Sequence, residues 1–427
     1  MDLANDLLRF VTAGASPYHA VAEMARRLDD AGFTPLHETA QWSLAAGDRR
    51  YVVRDGGSLI ALRVGTGAPT DVGLRMIGTH TDSPTLKVRP REDVCRSGYA
   101  QVGVEPYGGL LAHTWLDRDL TLAGRIAVLN DDGAVTTALV HLERPVLRIP
   151  SLAIHLFREL REQGLKLDPQ RHLVPVLGLS DAPPLREILA DAAGVAGDTL
   201  VAHDLVTADT QPPALGGHDD SAVYAPRLDN LASCHAAIHA LCTAPTTETT
   251  QIVVAYDHEE VGSGTAEGAR GSFLDDTVTR IVGLLDGADP QARTRALARS
   301  LLVSCDMAHA VHPNYADRHE AEHRPLLGGG PVVKVNAGQS YTSDAASAAW
   351  FIACAGAAGV DVQHFVTRAD LPCGSTIGPL TAARLGVQTV DVGNPMLSMH
   401  SCREQASADD IGPMIDVLRA HLTAPPA

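Results

Sequence analysis

The spacing of apolar positions changes several times along the chain, and each change predicts an element. Residues 3–12 and 17–31 repeat apolar side chains three and four apart, as amphipathic helices do. Ser16-Pro17 offers the second helix a cap and a first-turn proline, and Gly32 ends it. Residues 50–54 and 58–64 alternate or run apolar, which predicts a hairpin around Gly56-Gly57. Residues 74–78 form a short apolar strand. Between about 90 and 225 the texture becomes strand-like, with turns at Gly108-Gly109 and Asn130-Asp131-Asp132-Gly133, then mixed and proline-rich. From 227 onward helices and strands alternate. Helices are expected at 229–243, 291–299, 343–358, 376–385 and 407–422. Strands are expected at 251–256, 301–305, 331–336, 362–367 and 389–392. The chain is thus α/β, with one domain made of 1–90 plus 226–427 and a second, at 91–225, inserted into it. A length of 427 residues, beyond what one core usually fills, agrees with two domains.

The predicted strands carry chemistry at their ends. QIVVAYDHEEVGSG (251–264) runs from a buried β-branched strand into Asp257, His258, Glu259 and Glu260 before a glycine-rich turn. Four ionisable groups there are costly unless something pairs them, and a metal ion does so. The strand at 74–78 delivers His80 and Asp82, the strand at 301–305 delivers Asp306, and His400 follows the strand at 389–392. Asp229 stands where a loop enters a helix. Singly, each has a structural reading: Asp229 as a helix-start residue, His400 as a loop histidine. Together they gather at the carboxyl edge of one sheet, where open α/β folds bind ligands. Histidine nitrogen and carboxylate oxygen suit zinc, and two histidines with several carboxylates suit a two-metal site.

Composition narrows the partners. The net charge of −17 repels nucleic acid and anionic membranes. The N-terminus lacks the basic start and apolar core of a signal peptide, and the longest apolar run (345–360) is too short to span a bilayer. Seven cysteines without a C-x-x-C pair fit free thiols in a reducing cytoplasm. Cys402, two residues after His400, reads as a buried thiol.

Longer stretches carry a resemblance. GTHTDSPTLKV (78–88), YGGLLAHTWLDRDLTLAGR (107–125), RPVLRIPSLAIHL (144–156), PRLDNLASCHAAI (226–238), YDHEEVGS (256–263), SCDMAHAVHPNY (304–315), GPVVKVN (330–336), DLPCGSTIGP (370–379) and MHSCRE (399–404) resemble the aspartyl aminopeptidase family of di-zinc metallopeptidases, nearly end to end. The resemblance implies a catalytic α/β/α zinc-peptidase domain with an inserted β-rich dimerisation domain. It implies two Zn²⁺ per subunit, with Mn²⁺ or Co²⁺ as substitutes: His80 and Asp306 on one, Glu260 and His400 on the other, Asp229 bridging. Glu259 would be the general base toward a metal-bridging water, with Asp82 orienting the His80 imidazole. The implied reaction removes N-terminal Asp or Glu from peptides, with Lys334 and, nearby, Tyr341 as substrate-binding positions. Without the resemblance, Lys334 reads as a surface lysine on a strand edge. His155 matches a histidine that reaches a neighbouring subunit's active site, in a homododecamer built from dimers. His258 departs from the family's usual Asn (YDNEE) and could shift the base or add a donor, although adjacent side chains at a strand end point apart.

Two other readings compete. His319-Glu320-Ala321-Glu322-His323 fits H-E-x-x-H, a single-zinc protease motif that needs both histidines on one helical face. Here it lies between Pro313 and Pro325 with little apolar face, as an exposed loop would. A catalytically silent metal-binding scaffold, or a related hydrolase of N-acyl or C-terminal amide bonds, would use the same ligands. Gly262–Glu267 lacks the last glycine of a dinucleotide fingerprint, and neither G-x-S-x-G nor a P-loop occurs.

Overall fold

The computed structural model describes residues 2–287 and 289–426. The chain forms two compact units: Met1–Asp82 with Ala214–Met399 and Glu404–Ala427, and Ser83–Pro213 with His400–Arg403.

The first unit is built on a nine-stranded mixed sheet. Its centre is four parallel strands in the order Thr250–Tyr256, Leu74–His80, Leu301–Cys305 and Gln388–Gly393. Tyr256 pairs with His80 and Cys305 with Val392, so the carboxyl ends of the four strands finish together. The hairpin Arg49–Arg54 and Ser58–Arg63 extends one side antiparallel. Val332–Val335 and Gln363–Val366 extend the other.

Side chains alternate between the faces of a strand. Val253 and Ala255 join Ile77, Val303 and Val390 in one core, covered by helices Leu3–Ala13, Pro17–Asp30, Leu228–Thr243, Ala345–Ala358 and Ile411–Thr423. Ile252, Val254 and Tyr256 join Leu74, Met76 and Leu302 in the other, covered by Phe273–Leu285, Ala292–Ala298 and Ile377–Leu385. Burial on both faces explains the continuous apolar runs, and the layering is α/β/α. Phe273–Leu285 was not among the expected helices. The strand expected at 74–78 runs on through His80, which places that residue on the sheet itself.

The second unit centres on a six-stranded antiparallel sheet, ordered Val135–His141, Leu120–Leu129, Leu200–Asp209, Thr85–Arg96, Tyr99–Tyr107, Val176–Leu179. Leu86, Val104, Trp115, Leu122, Ile126 and Leu205 form its core with the helix Leu185–Ala193. The unit limits differ from the expected 90 and 225. Thr85–Arg96 pairs with Tyr99–Tyr107, so the second unit begins at Ser83. Ala222–Ala225 pairs with Glu404–Ser407 inside the first unit. His400–Arg403 joins the second: Leu111 N–H donates to the His400 carbonyl, and Cys402 N–H to Thr114 Oγ1. Among the described residues, no helix is long and apolar enough to cross a membrane.

Candidate metal centre

His80 ends a strand in which every residue is buried, and the imidazole inherits that burial. Its Nε2 lies 3.4 Å from Asp229 Oδ1 and 3.4 Å from Asp306 Oδ1. Asp306 follows the neighbouring parallel strand directly, and Asp229 comes from the start of Leu228–Thr243. Ligand atoms of these three residues all lie within 4.8 Å of one another, as do those of His80, Glu259 and Glu260. Three strand ends and one helix start therefore bring five of the expected residues together within the first unit.

The surroundings fix the donors. His80 Nδ1 faces the Asp82 carbonyl oxygen at 3.1 Å and Asp82 Oδ1 at 3.4 Å, which leaves Nε2 aimed into the cluster. Asp82, fully buried, also accepts the Glu259 N–H (3.1 Å) on Oδ1 and the Glu260 N–H (3.0 Å) on Oδ2. One carboxylate thus orients the imidazole and pins the backbone of both glutamates, a wider task than the sequence suggested.

Asp257, beside them in the sequence, turns away. Its N–H donates to Ser58 Oγ at 2.8 Å and its Oδ1 accepts the His258 N–H at 2.8 Å. His258 takes a left-handed conformation (φ 63°) and pairs its Nδ1 with Thr265 Oγ1 at 3.0 Å.

The electrostatics of the cluster favour a cation. Burial, reinforced by Asp306, Asp82 and Asp229 and partly offset by His80, pushes Glu259 up to about 8. Burial and then Asp229 raise Glu260 well above the carboxylate range. Burial disfavours a proton on His80, but hydrogen bonds with Asp229, Asp306 and Asp82 outweigh it and raise the imidazole well above its usual value. Carboxylates crowded in this way are stabilised in their charged form by nearby positive charge, and a divalent cation supplies it. The donors are nitrogen and oxygen, and the residues fit zinc.

Lys334 is not the surface lysine that its strand alone suggested. It is 2% exposed, and its ammonium donates to the Asp306 carbonyl (3.0 Å), the Met307 carbonyl (3.2 Å) and Asp306 Oδ2 (3.4 Å). Three donors meet three acceptors. Tyr341, also buried, presents its ring 5.1 Å from the ammonium, within cation–π range. Beside Tyr341 opens a cavity of about 320 Å³ whose lining includes His309, Arg318, Phe365, Arg368 and Met396; burial pushes His309 down to about 4, and Arg368 pairs with Asp370.

The second unit holds the remaining expected residues. His400 has φ 68°, and its Nδ1 lies 3.1 Å from the Gly109 carbonyl, so Nε2 is its donor atom. His155 is exposed in a 3-10 turn, Ile154–Leu156, between two exposed apolar neighbours. Cys402 is buried.

The competing single-zinc motif does not form. Residues 319–323 are not helical; His323 Nδ1 pairs with Glu320, and His319 Nε2 accepts the His312 N–H. Among the described residues, no group of metal-capable side chains includes either histidine.

Sequence reasoning missed two residues that hold the cluster. Glu404 accepts the Asp229 N–H, and Asn230 Nδ2 donates to the Cys305 carbonyl beside Asp306. Both stand inside the quoted stretches PRLDN and MHSCRE, but only the fold brings them to their partners.

Comparison with known proteins shows the family. Residues 10–421 match the family model described as aminopeptidase I zinc metalloprotease (M18). A probable M18 family aminopeptidase 2 of Pseudomonas paraeruginosa is 44% identical over 426 residues, covering 98% of this chain and 97% of that protein. Its namesake in Streptomyces coelicolor is 44% identical over 425 residues, with the same coverage. Among solved structures, a cryo-EM structure of the Ape4 and Nbr1 complex superposes with a TM-score of 0.96 at 39% identity, covering 99% of this chain and 85% of that one. The S. cerevisiae mApe1 dodecamer gives 0.86 at 29% identity, covering 98% and 96%. A family model matched across nearly the whole length, together with relatives 44% identical over 98% of the chain, places this chain in the M18 family of zinc metallopeptidases, as an aminopeptidase.

Proposed function

We propose that the enzyme removes Asp or Glu from the N-termini of peptides, working with two zinc ions per subunit. The observation that carries the reading is the buried cation Lys334 packed against Asp306, in a chain that is otherwise strongly acidic. His80 and Asp306 would hold one ion, Glu260 and His400 the other, and Asp229 both. Mn²⁺ or Co²⁺ could replace zinc at such donors. When bound, the ions supply Lewis acidity, which acidifies water and polarises the scissile carbonyl.

The chain's own residues do the rest. Glu259 is held by its backbone N–H on Asp82, and its raised affinity for a proton suits a group that takes one from water and returns it to the leaving amine. Asp82 keeps His80 in one tautomer. A side-chain carboxylate of the substrate would exchange for one of the oxygens now on Lys334, with Tyr341 walling the pocket. The unit Ser83–Pro213 would serve dimerisation, within a dodecamer like that of the similar mApe1 structure, and His155 would complete a neighbour's site. The cytoplasm, where free thiols persist, would be its compartment.

The test is release of free amino acid from unblocked dipeptides by wild type and Lys334→Ala. Wild type is expected to favour N-terminal Asp and Glu over Leu, and the variant to lose about 10- to 100-fold in kcat/KM on acidic substrates alone, the value of one desolvated charged contact. Equal loss on all substrates would make Lys334 a support for Asp306 only. A wild type without acidic preference would end the specificity reading.

A further inference from the structure

Asp229 reaches the cluster from a part of its helix that is not helical. Asp229 (φ −82°, ψ 102°) and Asn230 (φ −123°, ψ 24°) depart from helical geometry at the start of Leu228–Thr243, so the helix's hydrogen-bond ladder does not fix them. Other contacts do. Ala222–Ala225 pairs antiparallel with Glu404–Ser407, with Ala225 opposite Glu404. Arg227 donates from Nε to the Gly14 carbonyl and from Nη2 to the Val11 carbonyl, both at 3.0 Å, tying the turn to the end of the first helix. The Glu404 side chain then reaches past its strand partner, and its Oε2 accepts the Asp229 N–H at 3.1 Å.

Glu404 is 2% exposed and Asp229 3%. A buried carboxylate beside a group already rich in carboxylates raises the free energy of the fold unless it makes specific bonds. A lysine or an apolar residue would fill the space at less electrostatic cost, but neither could accept an N–H.

We propose that Glu404 is a positioning residue of the metal centre. Its Oε2 holds the Asp229 backbone, and so holds the Asp229 carboxylate at 3.4 Å from His80 Nε2. The inference rests on the reading of Asp229 as a metal ligand. It assigns Glu404 a role through the place of its oxygen, not through its charge. Lys334 makes the corresponding contact to the Asp306 carbonyl, and Asp82 to the N–H groups of the two glutamates, so each carboxylate proposed as a ligand has an ionisable neighbour bonded to its backbone.

Two substitutions separate place from charge. Glu404→Gln keeps an oxygen at the same reach and removes the charge, whereas Glu404→Asp keeps the charge and withdraws the oxygen by one methylene. Zinc affinity is read by competition of the purified, metal-stripped protein with a chromophoric chelator. Thermal unfolding and kcat and KM are recorded on the same samples. Glu404→Gln is expected to bind zinc within about threefold of wild type, and Glu404→Asp about 10- to 100-fold more weakly, as for other outer groups that orient ligands. In Glu404→Asp, kcat should fall while KM for the peptide changes little. Wild-type affinity in a folded Glu404→Asp protein would overturn the proposal, as would an equal loss in both variants. Asp229→Ala is the control for the underlying reading: if it keeps full zinc affinity, Asp229 is not a ligand, whatever Glu404 does.

Discussion

Several residues at the strand ends spend their polar groups on one another before any ligand arrives. Gly57 shows how close the packing is: a Cβ there would lie 2.3 Å from Asp257 Oδ2. Asp257 therefore belongs to the hairpin, although the sequence sets it in line with Glu259 and Glu260. His80 and Asp82 could be paired from the sequence because they are two residues apart on one strand end. Glu404 and Asp229 could not, since 175 positions separate them. Lys334 shows the same limit: strand position alone made it a surface residue, and only the tertiary structure turns it inward onto Asp306.

His421 is fully buried. It accepts the Trp350 Nε1–H at Nδ1 (3.0 Å), which leaves its own Nε2–H for the Met76 carbonyl (3.1 Å). Burial, with Arg75 next, pushes this imidazole down from 6.5 to about 3. Below pH 6.5 the unfolded chain takes a proton that the folded one refuses. Stability should thus fall with pH by up to about 1.4 kcal/mol per unit from this group. Denaturant unfolding between pH 7 and pH 5 should show that slope in wild type and a shallower one in His421→Gln. Equal slopes would contradict it.

At the scale of elements, periodicity located most of the sheet. The strand expected at 301–305 is Leu301–Cys305, and 251–256 lies within Thr250–Tyr256, because short β-branched runs between turn signals have few other outcomes. The helix Phe273–Leu285 escaped notice: Gly264, Gly268 and Gly271 precede it, and its Asp275-Asp276 pair reads as a loop until the buried face formed by Val278, Ile281 and Val282 is seen. Helix ends were legible to within a few residues. The helix expected at 343–358 begins at Ala345, set by a capping box: the Ser347 N–H donates to Asp344 Oδ1 (2.7 Å), and the Asp344 N–H to Ser347 Oγ (3.0 Å). Asp344→Ala should lower unfolding stability by about 1 kcal/mol. Calorimetry of the pair checks this, and an unchanged midpoint would remove the box from the account.

At the scale of the molecule, the sequence implied two domains, and the structure divides into two units with limits several residues away from those expected. The divisions follow hydrogen-bonded pairing, which composition does not record: residues 85–90 read as part of the first domain until the pairing of Thr85–Arg96 with Tyr99–Tyr107 is known. Assembly belongs to this scale as well. His155 stands exposed between Ile154 and Leu156, in the second unit. If it completes a neighbour's site, His155→Ala and Glu259→Gln should each be inactive alone. Co-expressed, they should recover activity in mixed oligomers, because some sites then combine an intact Glu259 with an intact neighbouring histidine. A mixture as silent as either parent would contradict the shared site.

The central claim is that Glu259 moves the proton at a centre whose metal it does not hold. The most direct measurement is turnover and bound zinc counted in one preparation of Glu259→Gln. The account predicts as much bound zinc as in wild type, with turnover reduced at least about 100-fold, the usual contribution of a positioned acid–base group. Full zinc with retained turnover would contradict the role assigned to Glu259, and loss of zinc along with activity would make it a ligand instead.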